Sequence, residues 1–239
     1  MSLDPLALAP EIEAATKRLL RTAAGLSDDA AHAPSPLPGW TRGHVLTHVA
    51  RNADGLVNLL TWARTGVETP MYASAESRDA DIEAGAGRSA GTLVADVTDA
   101  AGRLATAMAN LPSAAWTATV RWRNGAESPA ARIPWARLLE VELHHVDLDT
   151  GYRPEDWPEA FADRLYREAV HALRRRPETP PLVLHATDFG HDEPIGDGEG
   201  APRITGGAAA LGGWLTGRTD GAELTVDPPG PLPTLPVWL

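Results

Sequence analysis

Four segments in the first part of the chain repeat apolar residues at the spacing of an α-helix, and this pattern most constrains the fold. In the first segment the repeat is set by Ile12, Leu19 and Ala23. Thr41 is a typical N-cap before the second segment and Gly66 a typical stop after it. The segments cover residues 10–26, 41–66, 89–111 and 134–150. They predict an antiparallel four-helix bundle over residues 1–152, with one long crossover between the second and third helices.

The character of the chain changes after the stretch GYRPEDWP. A helix is predicted over residues 158–175, followed by strands in PLVLHATD and APRITGG, a helix in AALGGWLTGR and a strand in AELTVD. This alternation indicates a small α/β domain over residues 153–239, so the fold class is α+β. Asn124-Gly125 predicts a short hairpin before the fourth helix, and the Pro-rich tail is expected to be extended and docked by Trp238.

Composition excludes several classes of function. The chain has 21 basic and 32 acidic residues, a formal charge of −11 and no Lys/Arg-rich run, which argues against a nucleic-acid or anionic-membrane surface. No apolar run approaches the roughly 20 residues of a membrane span, and no signal peptide is recognisable, so we expect a cytoplasmic protein. The chain contains no cysteine, which excludes disulfides, thiolate zinc clusters and a cysteine nucleophile. Any thiol chemistry therefore needs a thiol from a small molecule.

The stretch EVELHHVDLDTGY, residues 140–152, places two carboxylates and two imidazoles on the fourth predicted helix. Glu140 with His144, and Glu142 with His145, are each spaced to meet on one side of a helix. His44 and His48 stand four apart and supply two imidazoles on one face of the second helix, so with either pair they have the parts of a metal site of nitrogen and oxygen ligands from facing helices. The helical wheel puts the two pairs on different arcs and leaves the choice between them open. In contrast, turn chemistry accounts for His185, Asp188, His191 and Asp192 better than a second metal site does.

The stretch PGWTRGHVLTHVARNADGLVNLLTWARTGVETPMYAS resembles the mycothiol-dependent maleylpyruvate isomerase family. The resemblance extends to LLEVELHHVDL, to GGAAALGGWLTGRTDG and to the final Trp238-Leu239, so it covers most of the chain in order. It implies that the N-terminal domain is a four-helix bundle of the DinB/YfiT-like kind.

The resemblance also implies a metal site made of His48, Glu140 and His144. It further implies that Arg218 is a functional arginine, although a helix C-terminal charge is the alternative interpretation. Arg78, in the crossover, matches an arginine of similar sequences and is expected to contact the cofactor or another anionic ligand, although a solvated loop arginine is the alternative interpretation. The resemblance assigns no ligand role to three further residues, which we interpret as supporting or packing groups: His44, Glu142 and His145.

The activity implied by the resemblance is isomerisation of maleylpyruvate to fumarylpyruvate in aromatic degradation, with Zn²⁺ or another divalent metal and mycothiol as cofactors. A thiolate would add to the conjugated double bond, allow rotation about it and then be expelled, and zinc would lower the thiol pKa. The alternatives are a mycothiol S-transferase acting on another electrophile and a non-catalytic metal- or ligand-binding protein. The expected partners are a small anionic substrate and a low-molecular-weight thiol, and the expected oligomeric state is a monomer.

Overall fold

The computed structural model describes residues 5–197 and 200–236, and these divide into two units, Met1–Thr150 and Gly151–Leu239. The predicted docking of the tail by Trp238 falls outside the described residues. Within them, no helix is long and apolar enough to cross a bilayer.

The first unit contains the predicted four-helix bundle. Its long helices bury leucine-rich faces against one another, with Leu19, Leu46, Leu93 and Leu138 among the buried side chains. The helices are α1 (Ala9–Ala24), α2 (Asp28–His32), α3 (Arg42–Thr65), α4 (Ala75–Ala86), α5 (Ala90–Ala109) and α6 (Ile133–Val146). Each of α1 and α3 contacts both α5 and α6. The helix α6 is therefore packed between α1 on one side and α3 on another, which decides where its polar residues point.

The ends of α3 follow the predicted signals. The Thr41 hydroxyl accepts a hydrogen bond from the His44 amide at 3.4 Å, and the Thr41 amide donates to His44 Nδ1 at 3.1 Å. This reciprocal pair satisfies amides that the first helical turn leaves without intrahelical partners. At the other end Gly66 adopts φ +73° and its amide donates to the Trp62 carbonyl at 2.8 Å. Both predicted boundaries of this helix are confirmed.

The crossover between α3 and α5 contains a helix, α4, which the sequence interpretation did not predict. Ser74 caps it by accepting a hydrogen bond from the Ser77 amide at 3.0 Å. Its contact with α3 is made by small residues: a Cβ on Gly43 would lie 2.1 Å from the Ala86 carbonyl oxygen, and a Cβ on Gly85 would lie 2.4 Å from Thr47 Cγ2. The absence of side chains on these glycines lets the two backbones approach closely.

Between α5 and α6 lies the predicted hairpin. Its strands are β1 (Thr119–Arg121) and β2 (Glu127–Pro129), paired antiparallel. Gly125 has φ +81°, and its amide donates to the Trp122 carbonyl at 2.9 Å. The Asn-Gly signal therefore identified this turn correctly.

The second unit is a small sheet with two helices, as predicted. Its elements are α7 (Glu159–Arg174), β3 (Leu182–Ala186), β4 (His191–Ile195), β5 (Arg203–Gly206), α8 (Ala208–Leu215) and β6 (Thr225–Asp227). The strand order is β4-β3-β5-β6, with β3 parallel to β5 and the two outer strands antiparallel to their neighbours.

The strand β4 corrects the sequence interpretation, which assigned only turns to the segment that contains it. The turn is real but short: the amides of Phe189 and Gly190 donate to the Ala186 carbonyl at 3.1 and 3.0 Å. The chain then returns along β3, where His185 pairs in register with Asp192.

The interpretation of this segment's polar side chains as structural agrees with their contacts. His185 Nδ1 lies 2.7 Å from Asp192 Oδ1, which also accepts from Arg203 at 2.8 Å. The Asp188 carboxylate accepts from the Ala208 amide at the start of α8. Among the described residues, these groups do not gather into a metal-binding cluster.

The close contact between α3 and α4 makes a testable prediction. Replacing Gly43 by alanine should destabilise the protein by about 1–3 kcal/mol, because the new methyl group collides with the Ala86 backbone. The matched control is Gly102→Ala in α5, where a Cβ meets no atom within 4 Å. This control should gain up to about 1 kcal/mol from the better helix propensity of alanine. Thermal unfolding measures both, and equal shifts in the two variants would contradict the packing described.

Candidate metal centre

Two facing helices of the first unit bring two imidazoles to one carboxylate. His48 projects from α3, and Glu140 and His144 project from α6. The Oε2 atom of Glu140 lies 3.0 Å from His48 Nε2 and 3.3 Å from His144 Nε2. The two imidazole rings are edge to face, with centroids 4.6 Å apart. The structure thus brings together the three residues that the resemblance implied.

The spacing of these atoms fits a divalent metal. In a tetrahedral site whose metal–nitrogen and metal–oxygen bonds are about 2.0–2.1 Å long, neighbouring ligand atoms lie about 3.3 Å apart. One ligand atom from each of His48, Glu140 and His144 lies within 4.8 Å of the others, and the two measured separations match the tetrahedral value closely. The Glu140 side chain is 26% exposed, so a small molecule can reach the set from solvent. Three protein ligands with an accessible side are typical of a catalytic zinc site.

The ring of His144 is held by a second carboxylate. Its Nδ1 lies 2.8 Å from Oδ2 of Asp147, which is almost fully buried. Burial lowers the pKa of His144, but its hydrogen bonds to Asp147 and Glu140 outweigh that effect and raise the pKa overall. A carboxylate on the outer nitrogen of a histidine fixes the ring and makes its inner nitrogen a better metal ligand. Asp147 therefore orients His144 toward Glu140.

The ring of His48 has a different outer partner. Arg78 Nη2 lies 3.2 Å from His48 Nδ1, and because a guanidinium can only donate, this nitrogen must accept. The His48 proton is thereby assigned to Nε2, which donates to Glu140. Burial lowers the pKa of His48 to about 4, although Glu140 opposes the shift. The imidazole is therefore neutral near pH 7, which is the form that binds metals.

Glu140 is the common partner of both rings and stays ionised. Burial raises its pKa, but the hydrogen bonds from His144 and His48 outweigh burial and hold the pKa well below the usual range. The centre thus presents a carboxylate with two imidazole nitrogens directed at it.

The other pair on α6 faces a different helix. Glu142 accepts from Arg18 at 2.5 Å and His145 Nε2 lies 2.8 Å from the Thr22 hydroxyl, so both are directed at α1. His44 Nε2 lies 3.0 Å from Glu83 of α4, while its Nδ1 belongs to the cap of α3. The contacts of Glu142 and His145 therefore hold α6 against α1, and the contact of His44 holds α3 against α4.

Several groups near the centre were not assigned a role from the sequence. The contact of Asp147 with His144 was not predicted. Trp40 lies edge to face with His48, with ring centroids 5.5 Å apart, as a wall of the site. Tyr72 lies under the Arg78 guanidinium, whose carbon is 5.8 Å from the ring centroid. No local sequence pattern marks Tyr72, because it lies in an irregular segment.

A buried arginine ties the two ligand-bearing helices together. Arg137 of α6 is fully buried, and its Nη1 donates to the Val49 carbonyl at 2.8 Å and to Asn52 Oδ1 at 3.1 Å. Val49 follows His48 directly, and Arg137 precedes Glu140 by one helical turn. The pair of hydrogen bonds therefore fixes α3 against α6 beside the metal ligands.

Arg218 lies in the second unit, just beyond the end of α8. Gly217 adopts φ +73°, its amide donates to the Trp214 carbonyl at 3.0 Å, and the Arg218 amide donates to the Gly213 carbonyl at 2.7 Å. This is a Schellman motif, which ends the helix and sets the direction of Arg218. The half-buried side chain donates from Nη1 to the Thr216 carbonyl at 2.8 Å. That contact agrees with a charge at a helix C-terminus and leaves the functional role a prediction.

Comparison with known proteins gives a consistent answer. Two solved structures, the crystal structure of the mycothiol-dependent maleylpyruvate isomerase and that of a histidine-to-alanine mutant of the enzyme, each superpose with a TM-score of 0.92. Each is 29% identical to the chain and covers 99% of this chain and 98% of its own. A search of curated protein sequences finds no significant match.

A family model supports the same relationship. The model described as the mycothiol maleylpyruvate isomerase N-terminal domain matches residues 12–149, which include all three residues of the candidate metal centre. The resemblance inferred from the sequence is confirmed, and the chain belongs to the mycothiol maleylpyruvate isomerase N-terminal domain family.

Proposed function

We propose that this protein is a metal-dependent isomerase that uses mycothiol to convert maleylpyruvate to fumarylpyruvate. The observation that carries the proposal is the convergence of His48, Glu140 and His144 in a chain that is similar over 99% of its length to the mycothiol-dependent maleylpyruvate isomerase. The chain has no cysteine, so a reaction that depends on a thiol must take it from a small molecule. We also propose that it works as a monomer in the cytoplasm, where low-molecular-weight thiols are kept reduced.

The metal in this proposal is held by His48, Glu140 and His144, and the donor set suits Zn²⁺ while allowing another divalent ion. A bound divalent metal would supply a positive centre that favours the ionised form of a thiol. Asp147 keeps the His144 ring directed at the centre. Arg137 holds α3 against α6, and Trp40 packs edge to face with the His48 ring.

The substrate carries two carboxylates, and the chain must supply cations for them because its net charge is −11. Arg78 contacts one ligand of the centre, because its Nη2 donates to His48 Nδ1. A His48 that ligates through Nε2 carries its proton on Nδ1 instead, and a protonated Nδ1 cannot accept from Arg78. Loading of the centre would therefore release Arg78 Nη2 from His48 and leave it able to donate to an anionic ligand, while Nη1 keeps its ion pair with Asp79. This supports the predicted contact between Arg78 and the cofactor or another anion.

Arg218 is the proposed partner of a substrate carboxylate. A guanidinium binds a carboxylate through two parallel hydrogen bonds, which orient the ligand as well as attract it. The Schellman motif before Arg218 fixes the backbone from which the side chain extends, so its reach does not depend on a mobile loop. Mycothiol would supply the sulfur that adds to the conjugated double bond and is later expelled.

The activity itself is tested with the zinc-loaded protein, mycothiol and maleylpyruvate. We expect fumarylpyruvate to form, and only when both zinc and mycothiol are present. The matched reaction replaces maleylpyruvate by monochlorobimane, a generic electrophile that reacts slowly without a catalyst, and measures how far the protein raises the rate of its conjugation with mycothiol above the uncatalysed rate. Conjugation without isomerisation would contradict the proposal in favour of a mycothiol S-transferase, and no thiol chemistry at all would favour a non-catalytic binding protein.

The assignment of the metal ligands is tested by substitutions at neighbouring positions of α6. Glu140→Gln and His144→Ala should lose stoichiometric zinc, because each removes one of three ligands. The controls Glu142→Gln and His145→Ala should retain zinc, because those side chains contact Arg18 and Thr22 of α1. Zinc per protein after equilibrium dialysis is the measurement. Full zinc retention in Glu140→Gln and His144→Ala would show that the metal is held elsewhere.

The role of Arg218 is tested by Arg218→Ala. We expect the KM for maleylpyruvate to rise about 10-fold or more, because a charge-assisted hydrogen bond is worth about 1.5–3 kcal/mol. Zinc content and thermal stability should stay close to those of the unchanged protein. A KM equal to that of the unchanged protein would leave Arg218 with its structural role at the end of α8 alone.

A further inference from the structure

Tyr72 lies beside the metal centre without an assigned role. It follows the buried Met71 in the segment between α3 and α4, where Gly55 of α3 makes room for both. A Cβ on Gly55 would lie 2.9 Å from Met71 Cγ and 3.2 Å from Tyr72 Cε1. Gly55 is seven residues after His48, so both lie on the same face of α3. The segment is thus seated on the helix face that carries a metal ligand.

Contacts link Tyr72 to the centre through one residue. The guanidinium of Arg78 lies over the Tyr72 ring, at 5.8 Å from its centroid, and the same guanidinium donates to His48 Nδ1 at 3.2 Å. The ring is half-buried, so one part of it remains open to a ligand. Arg78 therefore packs against one face of the phenol, and Tyr72 lies one residue away from the ligand set.

We propose that the Tyr72 hydroxyl donates a hydrogen bond to the substrate ketone oxygen on which negative charge develops during isomerisation. This inference rests on the proposed function and adds a catalytic residue to it. Tyrosine suits the role because its phenol is a neutral hydrogen-bond donor. A charged donor such as arginine would instead pair with one of the substrate carboxylates.

The electron balance of the reaction defines what Tyr72 must stabilise. The thiolate sulfur forms a bond to the alkene carbon that is beta to the ketone, and the π pair of the double bond moves through the conjugated system onto the ketone oxygen. Rotation about the former double bond follows. The electron pair then returns, the double bond forms again as trans, and the carbon–sulfur bond breaks to release the thiolate. No oxidant or reductant is consumed, and the Tyr72 proton remains on Tyr72.

The electrostatics around Tyr72 support this assignment. Negative charge that develops on a substrate ketone oxygen is stabilised by a preorganised hydrogen-bond donor. Burial raises the pKa of Tyr72, and the charge of Glu140 raises it further, against the opposing effects of Arg78 and Arg123. The hydroxyl therefore keeps its proton throughout the neutral pH range and is always available to donate.

The test replaces one hydroxyl. Tyr72→Phe in the zinc-loaded protein should lower kcat for maleylpyruvate about 100- to 1000-fold, the usual loss for one oxyanion donor, and raise KM up to about 10-fold, because the ground-state ketone loses the same donor. Zinc content should not change. Tyr152→Phe is the control, because the Tyr152 hydroxyl donates to the Asp156 carbonyl in the second unit and should leave kcat unchanged.

A binding measurement tests the same hydrogen bond without turnover. Acetylpyruvate has the dioxo acid group of maleylpyruvate but no double bond to isomerise, and calorimetry with the zinc-loaded protein gives its Kd. We expect Tyr72→Phe to weaken this binding about 10-fold, and Tyr152→Phe to leave it unchanged. Equal kcat and equal Kd in Tyr72→Phe and the unchanged protein would overturn the inference. If the unchanged protein does not isomerise maleylpyruvate, the proposed function fails instead, and this outcome is seen before any variant is compared.

Discussion

The candidate centre depends on a charged group buried between two helices. Arg137 of α6 donates to the Val49 carbonyl and the Asn52 side chain of α3, and its own side chain is fully buried. Burial lowers its pKa to about 10, so it is still charged at neutral pH and its hydrogen bonds cannot be given up cheaply. Any slip of α6 along α3 would break them. The same register holds His48 opposite Glu140, so the arginine that fixes the packing also fixes the site.

The sequence predicted the helices whose stability comes from a broad apolar stripe, and it missed the elements that lack one. The bundle helices repeat Leu and Val at helical spacing, and a helix places all of these side chains on one face that can be buried. The helix α4 buries only Ile82, Gly85 and Ala86, and glycine and alanine leave no visible stripe. The strand β4 is an edge strand that buries Ile195 alone and has His, Asp, Glu and Pro at its other positions, so it shows no alternation of apolar and polar residues.

The residue types of the site could be predicted from the sequence, but the helix that each side chain faces could not. Spacing made Glu140 with His144 and Glu142 with His145 equally good pairs, because both fit one side of a helix. Tertiary packing separates them: one pair faces His48 on α3 and the other faces α1. The sequence of α6 alone does not say which helix lies on which side, so family resemblance was needed to choose. Long-range contacts such as that of Arg78 with His48 depend on a crossover helix that local patterns did not show.

A zinc-edge X-ray absorption spectrum, recorded before and after mycothiol is added, tests the central claim most directly. The chain has no cysteine and only three methionines, so a strong sulfur signal can come only from the added thiol. The account predicts nitrogen and oxygen neighbours at about 2.0–2.2 Å without mycothiol, and one new sulfur neighbour at about 2.3 Å with it. In His144→Ala neither signal should be present at full occupancy. A spectrum that mycothiol leaves unchanged, in protein that isomerises maleylpyruvate, would contradict the account.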